Sequence, residues 1–271
     1  MIKGRIFQLF FVCVLLSCIS HAIVVPEGMV FIPAGEFEMG RNDGPTDESP
    51  RHVVYVDDFY MDIYEVTNEQ FKEFIDANPE WQKENIADRF HDSTYLRLWD
   101  KNNYPTGKGN HPVIYVSWYA AMAYAQWARK RLPTEAEWEK AARGGLVGMA
   151  YPWGDDTDPE QANHARYVND TELVGQYDPN GYGLYDMAGN VWEWCLDEYD
   201  NEFYVKSKNQ NPFNKDSITD VIDNFKNRKT SRVFRGGSWS DNIIFLRVDN
   251  RDAGIPNYAS AFGGFRCVHN P

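Results

Sequence analysis

The residues of this chain best suited to chemistry lie in one crowded loop, Asn180-Gly181-Tyr182-Gly183-Leu184-Tyr185-Asp186-Met187-Ala188-Gly189-Asn190-Val191-Trp192-Glu193-Trp194. Its glycines permit backbone angles that other residues resist, and Asp186, Asn190 and Glu193 supply hard oxygens that, with loop carbonyls, suit calcium. The competing use of the same acids is to accept hydrogen bonds from loop amides. Trp192 and Trp194 alternate as on a strand leaving the loop, so that element anchors one face in the core. Two other glycine turns stand out, Arg235-Gly236-Gly237-Ser238-Trp239 and Gly263-Gly264-Phe265-Arg266-Cys267. No Gly-x-Ser-x-Gly elbow, Walker loop or Cys-x-x-Cys occurs. His52, His91, His111, His164 and His269 show neither His-x-His nor His-x-Glu spacing and read as hydrogen-bonded or surface groups.

The elements that must position this loop are marked by local signals. Thr67-Asn68-Glu69-Gln70 and Thr134-Glu135-Ala136-Glu137 have capping-box spacing, so each opens a helix. The first continues with Phe71, Phe74 and Ile75 on one face; the second carries Trp138 and stops at Gly144-Gly145, where a left-handed turn is easy. A third helix follows Ser117, with Trp118, Met122 and Trp127 on its buried side, and Pro133 separates it from the next. Between Glu198 and Arg232 the composition turns polar without a sustained period. That stretch reads as a long surface connection with one helical turn at 220–225, not as a second domain.

With 271 residues, 43% of them hydrophobic and 15% aromatic, the chain buries one sizeable core and reads as a single α+β domain. A net charge of −13, with Lys and Arg not gathered into a basic stripe, argues against nucleic acid as a partner. Lys3 and Arg5 followed by an apolar run to Leu16 form an export signal over residues 1–22, too short to span a membrane. It is cut either after Ala22, giving a secreted protein, or before Cys18, giving a lipoprotein on a bacterial surface or outer membrane. Of the four cysteines, Cys13 and Cys18 lie in that signal. Cys195 and Cys267 remain, and they either pair, as exported cysteines do, or serve as small buried hydrophobes.

Several stretches together resemble the formylglycine-generating enzyme, or sulfatase-modifying factor, family. They are MVFIPAGEFEMG at 29–40, FYMDIYEVTNEQF at 59–71, HPVIYVSWYAAMAYAQWARKRLPTEAEWEKAARGG at 111–145, YPWGDD at 151–156, and the loop and turns above. The resemblance covers residues 27–271 and implies an elaborated C-type lectin-like fold. It implies a calcium site made by the Asp186 side chain, the Gly189 and Val191 carbonyls and the Glu193 carboxylate, and a second begun by Asn163 and the His164 carbonyl. The family's oxidase uses two cysteines after the Gly-Gly-Ser turn to bind copper. Here Ser240 to Leu246 contain no thiol, and Ser, Asp and Asn do not replace a soft thiolate ligand, so copper chemistry is not expected. By the same resemblance, Cys267 matches a cysteine bonded to a helix position that is Ala125 in this chain.

The segment 240–264 departs from the rest in composition. It contains no Lys, Glu, Gln, Met or Trp, in a chain with nine Trp and seven Met. Every residue in it is encodable with a pyrimidine in the third codon position. In this it resembles the variable region of diversity-generating retroelement proteins, which display diversified side chains on this same fold. The bland alternative is that loops favour Asn, Asp, Ser and Gly for turn-forming reasons. On the variable-region reading Leu246, Arg247, Arg251, Pro256, Phe265 and Arg266 hold the scaffold. Ser240, Asn242, Ile243, Phe245, Asp249, Asp252, Ile255, Asn257, Tyr258 and Phe262 then form the contact surface for an unidentified protein or surface ligand. The implied function is an exported ligand-binding protein without catalysis. The alternatives are a silent paralogue of the enzyme or an oxidoreductase with another site.

Overall fold

The computed structural model describes residues 25–214 and 217–271. The export signal, Cys13 and the lipidation candidate Cys18 lie outside the described residues. Strands β1 (Met29–Ile32), β2 (Gly35–Met39), β3 (His52–Val56) and β4 (Phe59–Asp62) open the domain. Helices α1 (Asn68–Ala77), α2 (Trp118–Trp127) and α3 (Glu135–Arg143) follow, then β5 (Trp192–Glu198). Short helices α4 (Phe203–Lys206) and α5 (Ile218–Asp223) lead to β6 (Arg232–Arg235), β7 (Asp252–Gly254), β8 (Gly263–Gly264) and β9 (Val268–His269).

The helices begin and end where the caps dictate. In both capping boxes the threonine hydroxyl takes the amide three residues on, and the Gln70 or Glu137 side chain reaches back to the threonine amide. Ser117 caps α2 through its hydroxyl, and Gly144 ends α3 in the left-handed region. α1 and α2 pack with Phe71, Phe74, Tyr124 and Trp118 in one aromatic core. α3 packs its Trp138 into a second core with Val54, Phe59, Met187 and Val233. Two features differ from the sequence-based expectation. Trp127 remains 40% exposed, because α2 ends there. The polar stretch after Glu198 hides α4, whose Phe203 and Tyr204 are buried.

The described residues form three sheets. β1, β4 and β9 form one, so the C-terminal strand pairs with β4 near the start of the chain, and β2 pairs with β3 in another. The third runs β7-β6-β5-β8, with β8 parallel to β5 and the other pairs antiparallel. This last sheet positions the site, because β5 leaves the acidic loop while β7 and β8 belong to the 240–264 segment. Cys195 and Cys267 are both free and fully buried, each among apolar side chains of a different core, so the pairing option is not realised. Burial pushes both thiols well up from the usual range.

Candidate functional site

The loop before β5 turns sharply through three left-handed residues, Asp186 (φ 56°), Gly189 (φ 83°) and Asn190 (φ 55°). Gly189 has no room for a side chain: an added Cβ would sit 2.4 Å from the Asn163 carbonyl oxygen. That close approach lets the Asn190 amide donate to the same carbonyl at 2.9 Å. The Asn190 side chain then ties the region together. Its Oδ1 accepts from the Glu172 amide and Asn163 Nδ2, and its Nδ2 donates to Glu65 Oε1 at 3.1 Å. Asn190 is thus committed to hydrogen bonds and is not a spare ligand.

The acids around it are unevenly served. Both Glu193 oxygens accept from the Arg266 guanidinium, at 2.7 to 3.0 Å, and Oε2 also takes Trp138 Nε1 at 2.9 Å. Asp186 accepts from the Gly175 amide at 2.6 Å and lies beside Glu65. Glu65 is fully buried and its Oε2 has no partner among the described residues. Burial, then the Asp186 charge, holds Glu65 well above the usual carboxylate range, and burial raises Asp186 too. Close by, Asn163 Oδ1 is also buried without a partner, although its Nδ2 donates to the Asp170 carbonyl. The His164 carbonyl accepts from the Tyr167 amide, and its ring packs edge-on against Tyr167. Among the described residues, no three His, Cys, Asp or Glu side chains converge as a metal centre. A cation here would depend on Asp186, Glu65 and loop carbonyls, with Glu193 shared with Arg266. Glu65 was missed by the sequence reasoning; the available signal was an acid set in the otherwise uncharged Ile63-Tyr64-Glu65-Val66.

The 240–264 segment has a tethered back and an open front. At the back, Arg251 grips Glu135 at 2.6 and 2.8 Å, and Arg235 bridges Glu135 and Glu139, each at 2.7 Å. Arg247 pairs with Glu48 and Asp249, and Asn250 also donates to Glu48. Leu246 and Phe265 are fully buried and Pro256 is buried. Asp249 corrects the sequence expectation: it is 4% exposed and bound to Arg247, so it belongs to the back.

At the front a cleft of about 380 Å³ opens over β5 and β6, floored by Trp192 and Phe234 and walled by Asp252, Ile255, Tyr258 and Phe262. Asp241 fixes its inner edge by accepting from Trp192 Nε1 and from the Ser238 amide and hydroxyl. No cysteine lines the cleft. Ser240 lines it half-buried, its hydroxyl held by Arg166, and Asn257 is half-buried further along the segment. Asn242 and Asp252 are exposed, as are Phe245, Ile255 and Tyr258 at 41%, 57% and 42%. Ile243 and Phe262 differ from the expected exposed anchors. Ile243 packs on the small core around Leu246 while its neighbour Ile244 faces outward, and Phe262 leans on Trp239.

Residues 20–271 match the family described as "Sulfatase-modifying factor enzyme 1-like domain". "Serine/threonine-protein kinase pkn1" of Chlamydia caviae is 40% identical over 242 residues, which cover 89% of this chain but 37% of that relative's length. "Formylglycine-generating enzyme" of Streptomyces coelicolor is 35% identical over 294 residues, covering 90% of this chain and 89% of the enzyme. "Inactive C-alpha-formylglycine-generating enzyme 2" of Mus musculus is 33% identical over 307 residues, covering 94% and 90%. Of solved structures, PvdO from Pseudomonas aeruginosa superposes with a TM-score of 0.70 at 25% identity, covering 90% of this chain and 94% of the other. Treponema denticola variable protein 1 superposes at 0.66 with 24% identity, covering 90% and 95%, a likeness of fold.

Proposed function

Because the chain belongs to the sulfatase-modifying factor enzyme 1-like domain family, we propose that it is a non-catalytic binding member of it, presenting the 240–264 segment to a ligand. One observation carries this reading. The segment's two arginines, Arg247 and Arg251, are locked inward by Glu48 and Glu135 from other elements, while Ile255 and Tyr258 stand exposed at an open cleft lined by no thiol among the described residues, and Phe245 is exposed elsewhere on the segment. A surface built this way tolerates changes at its front without loss of the fold, and exposed aromatic and aliphatic side chains supply much of an interface's energy. Retroelement diversification fits that division; an adjacent reverse transcriptase gene and a near-copy of the coding segment differing at adenines would establish it. The test on protein is to incubate the purified domain with copper and a sulfatase-type cysteine peptide. No formylglycine is expected, and robust formation would overturn the reading.

The same proposal includes calcium at the loop before β5. Two buried oxygens without partners among the described residues, Glu65 Oε2 and Asn163 Oδ1, flank Asn190, and Glu65 adjoins Asp186. Calcium would supply the missing positive charge, held by Asp186, Glu65 and the Gly189 and Val191 carbonyls, with Glu193 shared with Arg266. Export with lipid anchoring at Cys18 completes the proposal. A bacterial host should label the chain with fatty acid and Cys18→Ser should abolish the label; a free amino terminus at Ile23 would establish secretion instead.

The reading as a silent paralogue of the enzyme keeps one supporting observation, the similarity to the mouse protein named inactive. It differs in expecting no ligand at the 240–264 front.

A further inference from the structure

Around the Ile255 corner of the cleft lies a second groove, of about 610 Å³, where residues distant in sequence converge. Arg89 comes from the turn after Ala87, Lys226 and Lys229 from the turn after α5, and Ile255 to Asn257 from the 240–264 segment. Lys226 and Lys229 are close neighbours in the sequence, and the fold adds the distant Arg89 to them. Among the described residues none of the three cations makes an ion pair, whereas their neighbour Arg228 is matched by Asp220. Two of them, Arg89 and Lys226, are nonetheless held in place. The Arg89 guanidinium lies 4.5 Å from the centre of the Phe90 ring, and the Lys226 ammonium lies 5.8 and 5.7 Å from the Trp81 and Phe225 rings. Ring contacts orient a cation without neutralising it.

Three unmatched positive charges brought together repel one another, a cost that a bound anion removes. The arrangement stands out in a chain with 40 acidic and 27 basic residues, whose net charge of −13 disfavours anions overall. Ile255 lines both the groove and the cleft, so a cationic compartment adjoins an apolar, aromatic one across that side chain. We infer that the ligand of the 240–264 face is an extended polypeptide segment carrying an acidic side chain close to an apolar or aromatic one. The apolar side chain fills the cleft beside Tyr258 and Phe262, and the carboxylate rests on Arg89, Lys226 and Lys229. A free phosphate or sulfate would satisfy the groove alone, and a membrane surface would not enter a concave cleft. This inference rests on reading 240–264 as the binding face.

The test is a selection of phage-displayed random peptides on the immobilised mature chain, followed by titration of individual synthetic peptides. Enriched peptides are expected to carry Asp or Glu within a few positions of Trp, Phe, Leu or Ile. The triple variant Arg89→Gln, Lys226→Gln, Lys229→Gln should keep the wild-type melting temperature and weaken these peptides by roughly ten-fold, with a similar loss in high salt. The double variant Ile255→Ser, Tyr258→Ser should weaken both acidic and acid-free peptides. Peptides enriched without acids, or unaffected by the triple variant, overturn the groove proposal while leaving the binding face standing. Peptides insensitive to both variants overturn the binding face as well. If no peptide is enriched and the chain instead binds heparin through the three cations, the groove takes a sulfated glycan and the polypeptide inference fails.

Discussion

Two buried charged regions lie against the same β5–β6 core, and they balance their charges differently. Behind the 240–264 segment, the carboxylates Glu48, Glu135, Glu139 and Asp249 face the guanidinium groups of Arg143, Arg235, Arg247 and Arg251, sign matched to sign. At the loop before β5, Glu65, Asp186 and Glu193 face one guanidinium, Arg266. A closed set of charges fixes shape, because removing any member strands another in a low-dielectric interior. An unclosed set invites a further cation. The comparison teaches that one region is closed in charge and serves as a frame, while the other keeps an excess of acid that the proposed calcium would balance.

The sharpest way to break this comparison is to open the closed set. Arg251→Ala or Glu135→Gln should destabilise the domain by about 3–5 kcal/mol, since each leaves a partner charge buried and uncompensated. Chemical denaturation followed by tryptophan fluorescence measures it. A loss below about 1 kcal/mol would mean that the lattice is solvated and does not act as a frame.

Closing the open set should have the opposite sign. Calcium at about a hundred times its Kd should stabilise the domain by about 2.7 kcal/mol, provided only the native state binds it. Asp186→Ala with Glu193→Ala should remove that gain, and Glu65→Gln should reduce it. Thermal melts with calcium and with chelator decide the matter. Identical melting temperatures would rule out a structural ion.

Much of the frame was legible and most of its charge pairing was not. The caps at Thr67, Ser117 and Thr134, the stop at Gly144 and the alternation of Trp192 and Trp194 are local, so a few residues of sequence contain the whole interaction. Arg247 and Glu48 are 199 positions apart, and Arg251 and Glu135 are 116 apart. Nothing local distinguishes those arginines from solvated ones. Asp249 was misplaced on the binding surface for the same reason, because an acid in a turn-rich stretch looks solvent-facing until its arginine is known. Tyr204 escaped notice because its short helix carries polar neighbours, and its hydroxyl is nevertheless shared with Glu135, Glu139 and Arg235.

Asp197 sharpens the comparison at the frame's edge. Its Oδ2 accepts from the Glu135 amide at the start of α3, while Oδ1 has no partner among the described residues. Burial, then the charge of Glu135, pushes its carboxyl up to about 8. The native state therefore keeps a proton that the unfolded chain releases near pH 4. Stability from this group is full below that point and is lost as pH rises through about 8. Asp197→Asn should flatten the decline and raise the melting temperature at pH 9 by a few degrees. A variant with the wild-type pH profile would show that Asp197 is ionised in the fold.

The smallest effect is expected at the front of the 240–264 segment. Ile255→Ser and Tyr258→Ser remove side chains that are 57% and 42% exposed, so little apolar area re-enters water on unfolding that was hidden before. Each should change stability by no more than about 0.5 kcal/mol, the ordinary range for surface substitutions. Phe265→Ala, a few residues away but fully buried between Phe71 and Tyr124, should cost about 3–5 kcal/mol by leaving a cavity. Melting curves for the three variants, set beside peptide binding, separate a surface from a core. If Tyr258→Ser destabilised as much as Phe265→Ala, the cleft wall would be core packing, and the division between a fixed back and a free front would disappear.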